Sequence, residues 1–344
     1  LNKTIPTILF PLLLIMAVLT NCSQKASFPV IKGKYLGQSP PGITPEIFAP
    51  GVISTGLYER DLAMNPDGTE MYYGLILGGQ VTIMMTRMKE GAWTEPKVAP
   101  FATNPDFLYF EPCFSPDGKR LFFLSTLPPQ GKKSKPGWGH QNIWIVNRDD
   151  SGEWGAPQEI GPPVNSADSE YFPSVTSDGT VYFTRSLSGE SKAFIMRSRY
   201  LEGAYTEPEA LPVQINGQGT PYNAYIAPDE SYLIACVEGR DDSVTKGYAD
   251  YYVFFRSTDD RWSEGINLGR DINLPKDRAL SPYVSPDGRY FFFASARSGE
   301  LLSGWRGMTW TVIQQLHASP QNGSSDIYWV DAQIIKDLQP AGFD

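Results

Sequence analysis

Histidine is nearly missing from this sequence. His140 and His317 are the only two in 344 residues, too few for a three-histidine catalytic metal centre. No Cys-x-x-Cys pair is present, no Gly-x-Ser-x-Gly nucleophile elbow and no glycine-rich phosphate loop after a strand, so the common signatures of metal, acyl-transfer and nucleotide chemistry are absent. Neither a cofactor nor a metal is expected. Positive charge is also scarce. The formal net charge is −9, and the one basic cluster, GKKSKPG at 131–137, reads as a solvated loop, which argues against a nucleic-acid partner. Past the N-terminus no segment carries a convincing helical period, and the only long apolar run is Ile8–Leu19.

What the chain has in abundance is punctuation and aromatics: 32 Gly, 29 Pro and 13% Phe, Trp and Tyr, in short apolar runs bounded by turn residues, the signature of strands. One pattern recurs five times: YERDLAMNPDGTEMYYG (58–74), YFEPCFSPDGKRLFFLS (109–125), EYFPSVTSDGTVYFTRS (170–186), PYNAYIAPDESYLIACV (221–237) and LSPYVSPDGRYFFFASA (280–296). Its turn aspartates, Asp67, Asp117, Asp178, Asp229 and Asp287, are 50, 61, 51 and 58 residues apart. Each copy is followed by an Ile/Tyr/Trp-rich run, as in QNIWIVNR, and four of them by a Trp-x-x-Pro-like segment such as AWTEPKVAPF. Four strands per block at this period specify a β-propeller blade. The last block lacks its fourth strand, and TPEIFAPGVIS at 44–54 supplies one from the other end of the chain. The expected fold is therefore all-β, a single propeller over 44–336 with five blades, or six if the leader hides a degenerate repeat, its ring closed by an N-terminal strand.

The Pro-Asp-Gly turn needs no ligand to explain it. Gly allows positive φ, Pro fixes φ ahead of it, and the Asp side chain accepts from its own turn backbone.

Residues 1–21 read as a signal peptide, with Lys3 ahead of the apolar run. Leu19-Thr20-Asn21-Cys22 resembles the bacterial lipobox, which implies lipidation at Cys22; Asn21 departs from the small residue usual there. Acyl chains at about 0.8 kcal/mol per buried methylene anchor stably when there are several. Residues 22–43 would then be a lipidated tether and 337–344 a C-terminal tail. Cys113 and Cys236 read as core residues without a disulfide.

The Ser-Pro-Asp-Gly turn with its following aromatic strand resembles the TolB-type β-propeller repeat. The whole arrangement, with YLGQSPPGITPEIFAPG and the closing DIYWVDAQIIKDL, is similar to TolB-like propeller lipoproteins of Bacteroidetes-type bacteria. The resemblance implies the fold and a cell-envelope setting. Ser23 directly after Cys22 carries no acidic retention signal, which points to the outer membrane, with the lipid anchor as the sole membrane contact. The resemblance supplies no catalytic residues, because such propellers serve as docking platforms and occasionally as carbohydrate-active enzymes.

Strand direction places candidate binding groups on the rim opposite the Pro-Asp-Gly turns. Glu59, Glu111 and Glu170 lie near first-strand starts, with Asn223 and Ser281 at the corresponding places, and Arg185, Arg240 and Arg297 follow second strands. The two longest loops, 125–142 and about 296–325, open there too and carry Trp138, His140, Trp305, Trp310 and His317. Carboxylates and guanidinium groups ringed by aromatics suit a polar ligand, or they are ion pairs between blades. The expectation is a monomeric, non-enzymatic module for an envelope protein partner or a glycan. The alternative is a hydrolase or lyase using Glu111 and Glu170 as two carboxylates about 5 to 9.5 Å apart, with His140 as a further candidate base.

Overall fold

Each of the five turns joins the first two strands of a four-stranded antiparallel sheet in the computed structural model, which describes residues 27–189, 192–299 and 308–343. The first strands are Tyr58–Met64, Tyr109–Phe114, Ser169–Val175, Thr220–Ile226 and Leu280–Val284; they define blades 1 to 5. They pack side by side in sequence, with blade 5 against blade 1, and so form the wall of a central channel. The fourth strand of blade 5 is Glu46–Ile47, with Glu46 opposite Trp329 and Ile47 opposite Tyr328. The protein is a five-bladed β-propeller whose ring is closed by its N-terminal strand.

The turns behave as the sequence chemistry dictates. In blade 2, Gly118 N–H donates to Ser115 O at 2.8 Å, while Asp117 Oδ1 accepts from Ser115 Oγ at 2.6 Å and Lys119 N–H at 3.0 Å. Asp67, Asp178, Asp229 and Asp287 accept the equivalent backbone N–H at 3.0 to 3.2 Å. Where blade 4 has Glu230 in place of Gly, the residue still takes φ 60°. Its carboxylate is held by Tyr182 Oη at 2.6 Å and Arg256 Nη1 at 2.7 Å, contacts that offset the strain.

The core lies between blades. Five apolar clusters each fill one seam, such as Phe48, Phe292 and Trp329 of blade 5 against Met71 and Tyr73 of blade 1. Cys236 is buried in one of them, whereas Cys113 is half-buried on the channel wall; both are free.

Two expectations change. The part of the 22–43 tether that is described, from Ser27 on, is packed: Ile31 bridges Trp93, Trp93 Nε1 donates to Gly33 O at 2.7 Å, and Tyr35 Oη donates to Asp287 Oδ2 at 2.9 Å. Helix also occurs where no helical period is visible. Trp310–His317 forms two turns in the long loop of blade 5, capped by Thr309 Oγ1 and roofed onto Gly56, whose missing Cβ would lie 2.4 Å from His317 O. Trp310, Ile313 and Leu316 share one face of it, but eight residues are too short a run for that period to stand out in the sequence. No helix among the described residues is long and apolar enough to cross a membrane.

Candidate binding site in the propeller channel

Every inner strand is broken at mid-height by a β-bulge. The registers slip between residues 60 and 63, 110 and 113, 171 and 174, 222 and 225, and 280 and 283. At each slip one non-glycine residue takes the left-handed conformation: Asp61, Glu111, Phe172, Asn223 and Ser281, with φ between 47° and 60°. Proline follows in three of the five, and having no N–H it leaves no donor stranded by the broken ladder. These residues form a belt around the channel, and the belt carries the charge.

Arg60 Nε donates to Asp61 Oδ1 at 2.8 Å, and Ser281 Oγ of blade 5 donates to the same oxygen. Arg60 Nη2 lies 3.5 Å from Glu111 Oε1, and its guanidinium stacks over Phe110 at 4.6 Å. Glu111 Oε2 accepts Phe172 N–H at 2.7 Å. All three charged groups are buried. Burial first, and then the Asp61 carboxylate, push Glu111 up to about 8, against the opposing pull of Arg60. Asp61 Oδ2 has no hydrogen-bond partner among the described residues and packs beside Gly74, where a Cβ would come within 2.8 Å of it.

The belt divides the channel. On the long-loop side lies a funnel of about 460 Å³, walled by Phe110, Trp138, Tyr171 and Tyr222 and charged by Arg60, Lys192, Glu238 and Arg278. On the Pro-Asp-Gly side lies an apolar cavity of about 220 Å³ with Asp61, Glu111 and Ser281 among its lining residues and the turn prolines Pro66, Pro116, Pro228 and Pro286 around its mouth. Glu111 borders both.

The structure places the candidate residues in three settings. Glu111, Asn223 and Trp138 border the funnel. Glu59 and Glu170 sit two residues earlier in their strands than Glu111 does in its own, and fold back onto Thr55 and Ser166 in the connectors that precede them. Burial leads in pushing Glu59 up to about 7. Arg185 pairs with Glu170 at 2.8 Å and donates to Val164 O; Arg240 pairs with Asp242 at 2.9 Å; Arg297 donates to Asp271 O at 2.7 Å and to Ile272 O. These arginines staple rim connectors. Glu111 and Glu170 therefore do not line one pocket, and the carboxylate beside Glu111 is Asp61. His140 contacts Lys133 O at 3.0 Å within its own loop. Trp305 and Cys22 lie outside the described residues. Among the described residues no three His, Cys, Asp or Glu side chains converge as metal ligands.

Sequence reasoning passed over Arg60, Asp61, Tyr222 and Arg278. The signal was available for Asp61: counting six residues back from each turn aspartate gives Asp61, Glu111, Phe172, Asn223 and Ser281.

The sequence matches no protein-family model and no curated protein. Solved structures give distant likenesses. A putative TolB from Agrobacterium tumefaciens is 16% identical, with 70% of each chain covered and a TM-score of 0.42. TolB from Acinetobacter baumannii is 14% identical over 80% of this chain and 57% of that one, with a TM-score of 0.45. An α-L-arabinofuranosidase from Podospora anserina in complex with cellotriose is 11% identical over 85% of this chain and 94% of that one, also at 0.45. This chain thus spans just over half of the Acinetobacter protein and about a third of a puromycin hydrolase that it also resembles. These likenesses concern fold and assign no activity.

Proposed function

We propose that the protein is a non-enzymatic docking module of the cell envelope that receives a protein partner on its long-loop rim. One observation carries the reading: of the eleven exposed large apolar side chains among the described residues, six, Leu57, Leu77, Trp138, Tyr248, Trp310 and Val312, lie in or at the ends of connections that open on that rim, whereas Val30, Ile43, Val98 and Leu201 are spread over the turn side and the outer edge. Scattered apolar residues mean little, but a bias to one face marks an interaction surface. Leu and Val side chains suit a protein better than a glycan, which stacks on aromatics and hydrogen-bonds to polar groups. The funnel beneath, with aromatic walls and charges of both signs, would take an inserted side chain or loop.

The export signal and lipid anchor at Cys22 give the module an orientation. The described chain enters on the Pro-Asp-Gly side, where Ile31 meets Trp93 and Tyr35 meets Asp287. From Cys22 to Ser27 an extended chain reaches about 17 Å. An anchored propeller would therefore hold its turn face toward the outer membrane and its long-loop rim away from it.

The hydrolase reading has one observation in its favour: a buried carboxyl, Glu111, pushed up to about 8, suits general-acid work. A glycan-array and hydrolysis screen separates the two. Neither glycan capture nor hydrolysis is expected. Product formation by the wild type that disappears in Glu111→Gln would replace docking with catalysis.

A further inference from the structure

The cavity on the Pro-Asp-Gly side has no part in rim docking, yet it is built like a small-molecule site. Its walls are apolar, with Leu62, Met64, Val175, Ile226 and Val284 among them, and its mouth opens between exposed turn prolines. Its two charged groups, Asp61 and Glu111, sit together at the inner end with Ser281.

Charge is sorted across the belt. Asp61 and Glu111 border the cavity and no Lys, Arg or His does, whereas Arg60, Lys192 and Arg278 all border the funnel on the far side. Among the described lining residues the cavity thus holds two carboxyl groups and no cation; the nearest one, Arg60, reaches Asp61 and Glu111 from the funnel side. One acceptor is also unspent. Glu111 is 5% exposed, its Oε2 is taken by Phe172 N–H, and its Oε1 accepts no hydrogen bond among the described residues, with only the Arg60 guanidinium at 3.5 Å. An oxygen with no direct donor can still accept a hydrogen bond from a ligand that reaches it.

We propose that this cavity binds a small organic amine, its ammonium head donating to Glu111 Oε1 and its apolar body lying against the cavity walls. An anion is disfavoured by both carboxylates, and a neutral alcohol would supply a donor without the charge that strengthens the bond. The site is independent of rim docking, since it lies on the other side of the belt and opens on the opposite face.

The test is calorimetric titration of the full chain at about pH 9, where Glu111 is mostly ionised and an alkylamine still largely protonated, with benzylamine, benzyl alcohol and benzoate, three probes of one shape and different charge. Saturable binding of benzylamine, at least about tenfold tighter than benzyl alcohol, with no binding of benzoate, is expected. Glu111→Gln should erase the preference for amine over alcohol. Cys113→Phe, which fills the cavity from its half-buried wall, should abolish binding of both. Absence of saturable benzylamine binding to the wild type, equal affinity for all three probes, or an amine preference that survives Glu111→Gln would each overturn the proposal. The wild-type comparison needs no variant to fold, and thermal melts of the two variants show whether their losses are specific.

Discussion

Glu111 Oε2 of blade 2 accepts the backbone N–H of Phe172 in blade 3 at 2.7 Å. The bond joins two left-handed bulge residues across a blade seam, so the same carboxyl that borders both cavities also ties the ring together at mid-height. Glu111→Gln keeps an acceptor for Phe172 N–H, whereas Glu111→Ala strands it and removes the carboxyl beside Arg60. Urea unfolding should show Ala less stable than Gln by about 1 to 3 kcal/mol. Equal stabilities would mean that the bond does not form.

Gly74 is the position where the belt leaves no room. A Cβ there would lie 2.8 Å from Asp61 Oδ2 and 2.9 Å from the Phe110 ring, both held by Arg60. Gly74→Ala should destabilise by about 1 to 3 kcal/mol despite adding only a methyl group. An unchanged unfolding midpoint would show that Asp61 is free to move.

Stability should fall as pH rises through neutrality. Burial leads in raising Glu111 to about 8, Glu59 to about 7 and Asp326 to about 6, so the folded state holds protons that the unfolded chain has released. Their stabilising share is complete below the ordinary carboxylate range and is lost as pH passes through 6 to 8. The turn aspartates Asp67, Asp117, Asp178 and Asp287 act oppositely: partial burial would raise them, but hydroxyl and backbone hydrogen bonds hold them below 3.8, and their share is lost in acid. Thermal melts should therefore give a maximal Tm near about pH 5 and a decline to pH 8, with Glu111→Gln flattening the upper part. A Tm that climbs from pH 5 to 8 would contradict these assignments.

The two faces should respond differently to substitution. Trp138 is 48% exposed, so Trp138→Ala should change stability by less than about 0.5 kcal/mol while weakening partner binding. Asp117→Ala removes acceptors for Ser115 Oγ and Lys119 N–H, and should cost about 1 kcal/mol while leaving partner binding intact. Denaturation and binding measured on both variants check the crossing pattern.

The blades and their closure were legible because Pro-Asp-Gly is a local signal: Asp117 and Gly118 do in blade 2 what their types dictate anywhere. The belt was not. Asp61, Glu111, Phe172, Asn223 and Ser281 share one backbone conformation but no side-chain chemistry, and only Asp and Asn are habitual left-handed residues. The rim charges misled for a related reason. Glu59 and Glu170 look equivalent to Glu111 by type, but a two-residue offset turns them onto Thr55 and Ser166 in the connectors rather than into the channel. The Trp310–His317 helix escaped because its apolar period spans only eight residues inside a long loop.

The central claim is that the long-loop rim is the working face. Photo-cross-linking residues placed at Trp138 and Trp310, and at Asp117 on the turn face, test it directly in the producing cell's envelope. The same protein adduct from Trp138 and Trp310, absent from Asp117, is the expected result. An adduct formed from Asp117 and not from the rim positions would contradict the account.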